Sequence, residues 1–149
     1  MDLRKMVVCS MLLVSVSCLG QPVQTYSGPE LPLAQVALLR GTSNASILAI
    51  DGVRVSGFSW SLLPGGHSVW LRVRVFTKAP NVDWNIWTHC RVDLVAVAGE
   101  EYVGRVRVRE EVSSGFSETV KIQVGIADSE GIFRAAPNEC HENPPKLNR

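Results

Sequence analysis

The residue types best suited to chemistry form two mirror-image pairs, His89-Cys90 and Cys140-His141. Two imidazoles and two thiols are a nominal tetrahedral zinc set. Adjacent residues on a β-strand point to opposite faces, however, so His89 and Cys90 cannot easily reach one ion unless a bulge intervenes. A pair of cysteines in an oxidising compartment is more typical of a disulfide. We therefore predict a Cys90–Cys140 disulfide, with two reduced thiols as the alternative, and no metal or other cofactor.

The other titratable residues do not form a recognisable catalytic pattern. His67 follows a Pro-Gly-Gly turn and is interpreted as a polar residue at the edge of a strand, and the acidic pairs at 100–101 and 110–111 are interpreted as solvated carboxylates at strand ends. The spacing supports no Ser-His-Asp or Cys-His arrangement, and no glycine-rich phosphate loop precedes a helix. We predict that the protein is not an enzyme.

Two stretches contain residues suited to binding a partner, because aromatic and arginine side chains dominate binding hot spots. One is residues 80–87, interpreted as an irregular loop with two tryptophans, and the other has an arginine at every second position. The candidate interaction residues are Trp84, Trp87, Arg105, Arg107 and Arg109. We favour a buried lid for the tryptophans and a solvated ladder paired with carboxylates of neighbouring strands for the arginines.

The N-terminus has the parts of an export signal. Arg4 and Lys5 precede an apolar run over residues 6–16. The run is shorter than the roughly 20 residues that span a bilayer. Residues 14–18, Val-Ser-Val-Ser-Cys, resemble a bacterial lipobox, which implies that Cys18 is acylated and becomes the mature N-terminus. The alternative is ordinary cleavage nearby, with Cys18 a free or discarded thiol.

Composition narrows the function classes further. The 149 residues, 46% of them apolar, suit a single domain. The 15 basic residues against 14 acidic ones fall to 13 of each after removal of residues 1–17, which contain Arg4, Lys5 and Asp2. A mature chain with no net charge has no global field to attract nucleic acid, so we expect no nucleic-acid partner.

From residue 36 onward, short apolar runs alternate with turn signals such as Asp51-Gly52, as in antiparallel sandwiches. The predicted strands are 36–40, 46–50, 53–55, 66–77, 89–98, 102–112, 119–127 and 132–135. The predicted organisation is a signal peptide over 1–17, a tether over 18–34, an all-β domain over 35–141 and a flexible C-terminal tail over 142–149.

A period of two assigns the faces of these strands. In the fourth strand, Val69, Leu71, Val73 and Val75 are expected in the core, while Arg72 and Arg74 point outward. The sixth strand should contribute Val106 and Val108 to the core. Its outward arginines are expected on the same sheet face as Arg72 and Arg74.

Residues 47–52 and 62–69, with their Asp-Gly and Pro-Gly turns, resemble the core of PEGA-like β domains. Residues 26–29, 36–39 and 98–102 extend the similarity to a group of small uncharacterised proteobacterial envelope lipoproteins. The resemblance implies a small antiparallel, immunoglobulin-like β-sandwich without an agreed catalytic activity. Leu19 and Gly20 contain no aspartate retention signal, so similarity to lipoprotein sorting favours the periplasmic side of the outer membrane.

These observations lead to one functional hypothesis and one alternative. The hypothesis is a non-catalytic, membrane-anchored envelope module that holds a partner protein or polymer. The alternative is a binding module for a small or anionic envelope ligand. A flat aromatic patch would favour the first, and a concave site lined by arginines would favour the second.

Overall fold

The computed structural model of the protein describes residues 20–79, 82–112 and 118–147. Within these residues, 11 β-strands account for nearly all of the regular structure, and the one helical element is a short 3₁₀ helix at Leu33–Gln35. The strands are β1 (Val23–Gln24), β2 (Ala37–Arg40), β3 (Ala45–Ile50), β4 (Val53–Arg54), β5 (Ser59–Leu62), β6 (Gly65–Ala79), β7 (Val82–Ala96), β8 (Glu101–Val112), β9 (Glu118–Asp128), β10 (Phe133–Ala135) and β11 (Pro137–His141).

The strands form two sheets that pack as a small sandwich. The first sheet has the order β1-β5-β2-β8-β9-β10, and the second has the order β11-β7-β6-β3-β4. The pairs β1–β5 and β2–β8 are parallel, whereas the other pairs are antiparallel. The predicted all-β class and sandwich architecture are confirmed.

The core lies between the two sheets and follows the predicted period of two. Val69, Leu71 and Val73 of β6 are fully buried, and Val75 is nearly so. Cys90, Val92, Leu94 and Ala96 of β7 lie on the same inner side, opposite Leu39, Trp60 and Leu62 of the first sheet. Burial of these side chains is the main stabilising contribution, at about 2 kcal/mol for each large apolar residue.

Two predicted boundaries are wrong in ways that matter for function. β6 continues to Ala79, past its predicted end at residue 77, and β7 begins at Val82, so residues 82–87 belong to a strand rather than to an irregular loop. Three strands, β1, β5 and β11, have no counterpart in the sequence prediction. The missed β5 contains Trp60, one of the largest fully buried side chains.

Both long hairpins extend past the strands that flank them. Pairing of β3 with β6 ends at Ala45 opposite Val73, and pairing of β2 with β8 ends at Arg40 opposite Val103. Beyond these points β6 continues with β7, and β8 continues with β9, as two-stranded ribbons. Residues 41–44, which connect β2 to β3, lie where both ribbons leave the sandwich.

The two sheets lie very close together at Gly104, near the base of the β8–β9 ribbon. A Cβ at this position would lie 2.8 Å from the Ala45 carbonyl oxygen and 3.3 Å from Leu71 Cδ2. Only glycine allows β8 to sit this close to β3 and β6. The hydroxyl of Thr42 donates to the Gly104 carbonyl oxygen at 3.0 Å and fixes the base of the ribbon.

The predicted faces of β8 are correct, but the predicted depth is not. Val106 is half-buried against the core, whereas Val108 is 42% exposed because it lies in the ribbon beyond β2. Arg105 and Arg107 are exposed as expected, and the side chain of Arg109 lies outside the described residues. The arginines of β6 do not share a face with those of β8, because the two strands belong to opposite sheets.

The segments predicted as tether and tail contact the sandwich where the structure describes them. Within the former, Val23–Gln24 pairs with β5, and the Thr25 N–H donates to the Ser61 carbonyl oxygen at 3.2 Å. Within the latter, the Glu142 carbonyl oxygen lies 3.2 Å from His89 Nδ1. The export signal and Cys18 lie outside the described residues. Among those described, no helix is long and apolar enough to cross a membrane.

Candidate interaction site

The predicted disulfide between Cys90 and Cys140 is present. Cys140 of the edge strand β11 stands directly opposite Cys90 of β7, with the two α-carbons 4.1 Å apart. Cys90 is fully buried, so the bond anchors β11 to the core-facing side of the second sheet. It also holds the residues that follow β11 close to Trp70, on the outer face of the same sheet.

The two histidines next to these cysteines turn away from them, as strand alternation requires. His141 stands opposite His89 in the register of β11 and β7, and its Nε2 lies 3.1 Å from Glu139 Oε2. No group of three His, Cys, Asp or Glu residues in the described part of the chain could hold a metal ion. The thiols are consumed by the disulfide, which removes two of the four ligands of the alternative zinc set.

His67 is engaged in the turn that joins β3 to β4. Its Nδ1 lies 2.7 Å from Asp51 Oδ2, and its Nε2 lies 2.7 Å from the Leu63 carbonyl oxygen. Each ring nitrogen therefore has a partner within hydrogen-bond distance. Asp51 also accepts the Ser68 N–H at 2.9 Å. With both ring nitrogens occupied, His67 stabilises this corner rather than offering a free general base.

Asp128 is a buried carboxylate, and it organises the turn between β9 and β10. Its Oδ1 accepts the N–H groups of Glu130 and Ile132, and its Oδ2 accepts Arg134 Nε at 2.5 Å. Burial alone would raise the pKa of Asp128, but the hydrogen bonds from Ile132 and Arg134, the charge of Arg134 and the bond from Glu130 together lower it. Sequence reasoning did not identify this residue.

The exposed side chains with the clearest capacity to bind lie on the outer face of the β6–β7 hairpin. We call this surface the arginine–aromatic face, and it consists of Trp70, Arg72, Arg74, Phe76 and Trp87. Phe76 is 52% exposed and Trp87 is 42% exposed. Trp87 therefore lies on the outer surface of a sheet, and the expected lid over the core is wrong for this residue. The side chain of Trp84 lies outside the described residues.

Two arginines share the ring of Trp87. The guanidinium carbons of Arg72 and Arg74 lie 5.3 Å and 5.1 Å from its centroid, within the range of cation–π attraction. The register explains this contact, because Trp87 stands directly opposite Arg74. Arg74 Nε also donates to Asn85 Oδ1 at 2.9 Å. The ring and the amide hold both guanidinium groups in place without neutralising their charge.

The charges of Arg72 and Arg74 contrast with that of Arg91 on the same face. Arg91 pairs with Glu139 at 3.1 Å. No described carboxylate lies within ion-pair distance of Arg72 or Arg74. A guanidinium stacked on an aromatic ring still presents N–H donors at its edge. Both arginines can therefore donate hydrogen bonds to an external carboxylate or phosphate.

An open groove continues the arginine–aromatic face towards the C-terminal segment. The groove has a volume of about 660 Å³ and lies between Trp70 and residues 139–145. The rings of Trp70 and His141 form its floor, with centroids 6.2 Å apart. Together the face and the groove form a broad, nearly flat surface rather than a deep pocket.

The predicted arginine run lies on the outside of the first sheet and does not join this surface. Arg105 is exposed, and the guanidinium carbon of Arg107 lies 5.3 Å from the centroid of Phe133. The sequence assigned Arg72 and Arg74 to an outer face but did not place Trp87 beside them. The sequence signal that could have placed it there is the Pro80-Asn81 pair. Taking these two turn-forming residues as the hairpin turn sets which residues of the flanking strands stand opposite each other.

Comparison of the chain with models of protein families, with curated proteins and with solved structures finds no match.

Proposed function

We propose that this protein is a non-catalytic, lipid-anchored module of a bacterial cell envelope, which uses the arginine–aromatic face to hold a partner protein or polymer near the membrane. The observation that carries the proposal is the pair of arginines on Trp87. Arg72 and Arg74 are exposed, held by the ring and unneutralised by described carboxylates. Such a surface suits a partner that presents negative charge beside apolar groups.

The proposed location rests on the N-terminal sequence. The lipobox-like approach to Cys18 supports acylation, and the absence of an aspartate retention signal after it supports the periplasmic side of the outer membrane. The structured domain begins close behind that cysteine, since Val23 already pairs with β5. The sandwich would therefore lie near the membrane surface.

The alternative is a binding module for a small anionic ligand, and one observation favours it. Two guanidinium groups converge on a single ring, which gives one carboxylate or phosphate two donors. The flatness of the surface favours the larger partner, because small ligands bind in concave sites that bury most of their surface.

Photocrosslinking in intact cells tests the proposed face. A photoreactive residue in place of Phe76 should yield a discrete crosslinked product. The same residue in place of Gln123, which is exposed on the outside of the first sheet, should not. A product formed equally from both positions would show that contact is not specific to this face.

Charge reversal provides the matched control. The double variant Arg72→Glu/Arg74→Glu should reduce the Phe76 crosslink by more than about tenfold. Arg105→Glu/Arg107→Glu changes the same charge with the same spacing on the opposite sheet and should leave the crosslink unchanged. Equal losses in both variants would contradict the proposal. Loss of the crosslink on addition of inorganic phosphate alone would favour the small-ligand alternative.

A further inference from the structure

The free edge of β6 lies directly beside the arginine–aromatic face. The Arg74 N–H donates to the Asn44 carbonyl oxygen at 2.9 Å, which is the last bond between β6 and the β3 side. Backbone groups of alternate residues in an antiparallel strand point to the same side. The carbonyl of Arg74 and both backbone groups of Phe76 therefore face a side on which no described strand pairs with β6.

The two sides of this edge differ in chemistry. Arg72 and Arg74 flank it on the outer side of the sheet. On the inner side of the sheet, Val75 is already buried in the core, and the exposed apolar side chains belong to the ribbon of β8 and β9 in the facing sheet. That ribbon presents Val108 and Ile122 as a directly opposed pair, 42% and 41% exposed, on its inward face. The edge is therefore cationic on one side and apolar on the other.

We infer that this edge accepts an extended segment of the partner protein as an added strand, in which acidic and apolar residues alternate. The inference rests on the proposed function and specifies the partner. Backbone bonds to Arg74 and Phe76 would hold the segment, as in other cases of strand addition. Its carboxylates would face Arg72 and Arg74, and its apolar side chains would face Val108 and Ile122.

Charge disfavours a second copy of this chain as the occupant. Antiparallel self-pairing centred on Phe76 would place Arg74 opposite Lys78 of the other copy. Like charges directly opposite each other on neighbouring strands are destabilising, and basic residues on an edge discourage such pairing. An acidic strand would instead be attracted by these basic side chains.

The test uses a short synthetic peptide of alternating Glu and Val, titrated into the full exported protein. A peptide of the same composition with its Glu and Val residues in separate blocks keeps the charge but loses the alternation. A third peptide replaces Glu by Lys. We expect binding of the first peptide, at least about tenfold weaker binding of the blocked peptide and no binding of the Lys peptide.

The variant Phe76→Pro and its control Phe76→Ala separate strand addition from contact with the face alone. Both remove the aromatic ring, but only proline removes the N–H on the free edge, and proline is tolerated at edge positions. Phe76→Pro should bind the alternating peptide about tenfold more weakly than Phe76→Ala. In the wild-type protein, hydrogen exchange at the Phe76 amide should slow when the peptide binds.

Equal binding by the two Phe76 variants, with no protection of the Phe76 amide, would overturn strand addition. Loss of the cellular crosslink in Arg72→Glu/Arg74→Glu would still support the proposed face in that case. Failure of all three peptides to bind would also overturn the inference, leaving the basic edge as a device against self-pairing. Concentration-dependent dimerisation that protects the same amide would identify a second copy as the occupant and overturn it too.

Discussion

Replacing both bonded cysteines by alanine, Cys90→Ala with Cys140→Ala, should lower the free energy of unfolding substantially. The two cysteines are 50 residues apart. Closing a loop of that length in the unfolded chain corresponds to about 4 kcal/mol at 25 °C when the effect is treated as chain entropy. The bond is therefore expected to supply a large share of the roughly 5–15 kcal/mol that stabilises a typical domain.

The stability lost with the disulfide should affect β11 before the rest of the sandwich, because the side-chain contacts that also hold this strand are weak. The ion pair between Arg91 and Glu139 joins side chains that are 40% and 37% exposed, and such pairs contribute about 0–1 kcal/mol. The bond from the Thr88 hydroxyl to the His141 carbonyl oxygen is also exposed. Without the disulfide, β11 should open before the rest of the sandwich unfolds.

Urea unfolding and amide hydrogen exchange measure the two effects separately. Urea gives the change in global stability, and exchange at Glu139 and His141 reports on β11. Glu139→Gln is the control, because it removes the ion pair on the same strand and should cost less than about 1 kcal/mol. A double variant within about 1 kcal/mol of the wild type, with β11 equally protected, would refute this account of the bond.

Three further predictions concern the anchor, the depth of the core and the buried carboxylate. Cys18→Ala should release the protein from membranes, and unchanged fractionation would contradict acylation. Val73→Asp should cost several kcal/mol by burying a charge, whereas Val108→Asp, at a position 42% exposed, should cost about 1 kcal/mol or less in thermal unfolding. The pKa of Asp128 is lowered on folding, so its stabilisation is present above the ordinary value of 3.8 and is lost as the pH falls through the lowered folded value. Urea unfolding at acid pH should therefore show a flatter pH dependence for Asp128→Asn than for the wild type, and parallel curves would refute the assignment.

Alternation of apolar and polar residues predicted the strands that form the core, but it failed where burial comes from elsewhere. The strand β5 holds Trp60 at 1% exposure between Ser59 and Ser61, and Ser61 is itself buried. Residues 58–62, Phe-Ser-Trp-Ser-Leu, do alternate, but the run is short and we did not assign it to a strand. The strand β11 has no apolar period because it is an edge strand, and the Cys90–Cys140 bond holds it in place instead.

Alternation also predicts which face of a strand a residue lies on, but not how deeply that residue is buried. Val106 and Val108 share an inward face, yet only Val106 packs against the core. The difference depends on where the neighbouring strand β2 ends, which is at Arg40. A strand that continues beyond its neighbours keeps its period of two after the core has ended. The residues of β8 themselves do not indicate where β2 ends, so the depth of Val108 could not be predicted from them.

The same limit explains why the candidate site could not be assembled from the sequence. Residues 80–87 contain polar and turn-forming types, so we interpreted them as a loop, although β7 begins at Val82 in a ribbon that has no core to fill. Once the hairpin register is known, Trp87 falls opposite Arg74, and the cation–π contacts follow. The free backbone groups of β6 begin where its pairing with β3 ends, directly beside the exposed Arg72 and Arg74. The exposed arginines and Phe76 are not needed to close the core, and exposed groups held by a rigid scaffold are where function is physically expected, so this end of β6 is the place to look for it.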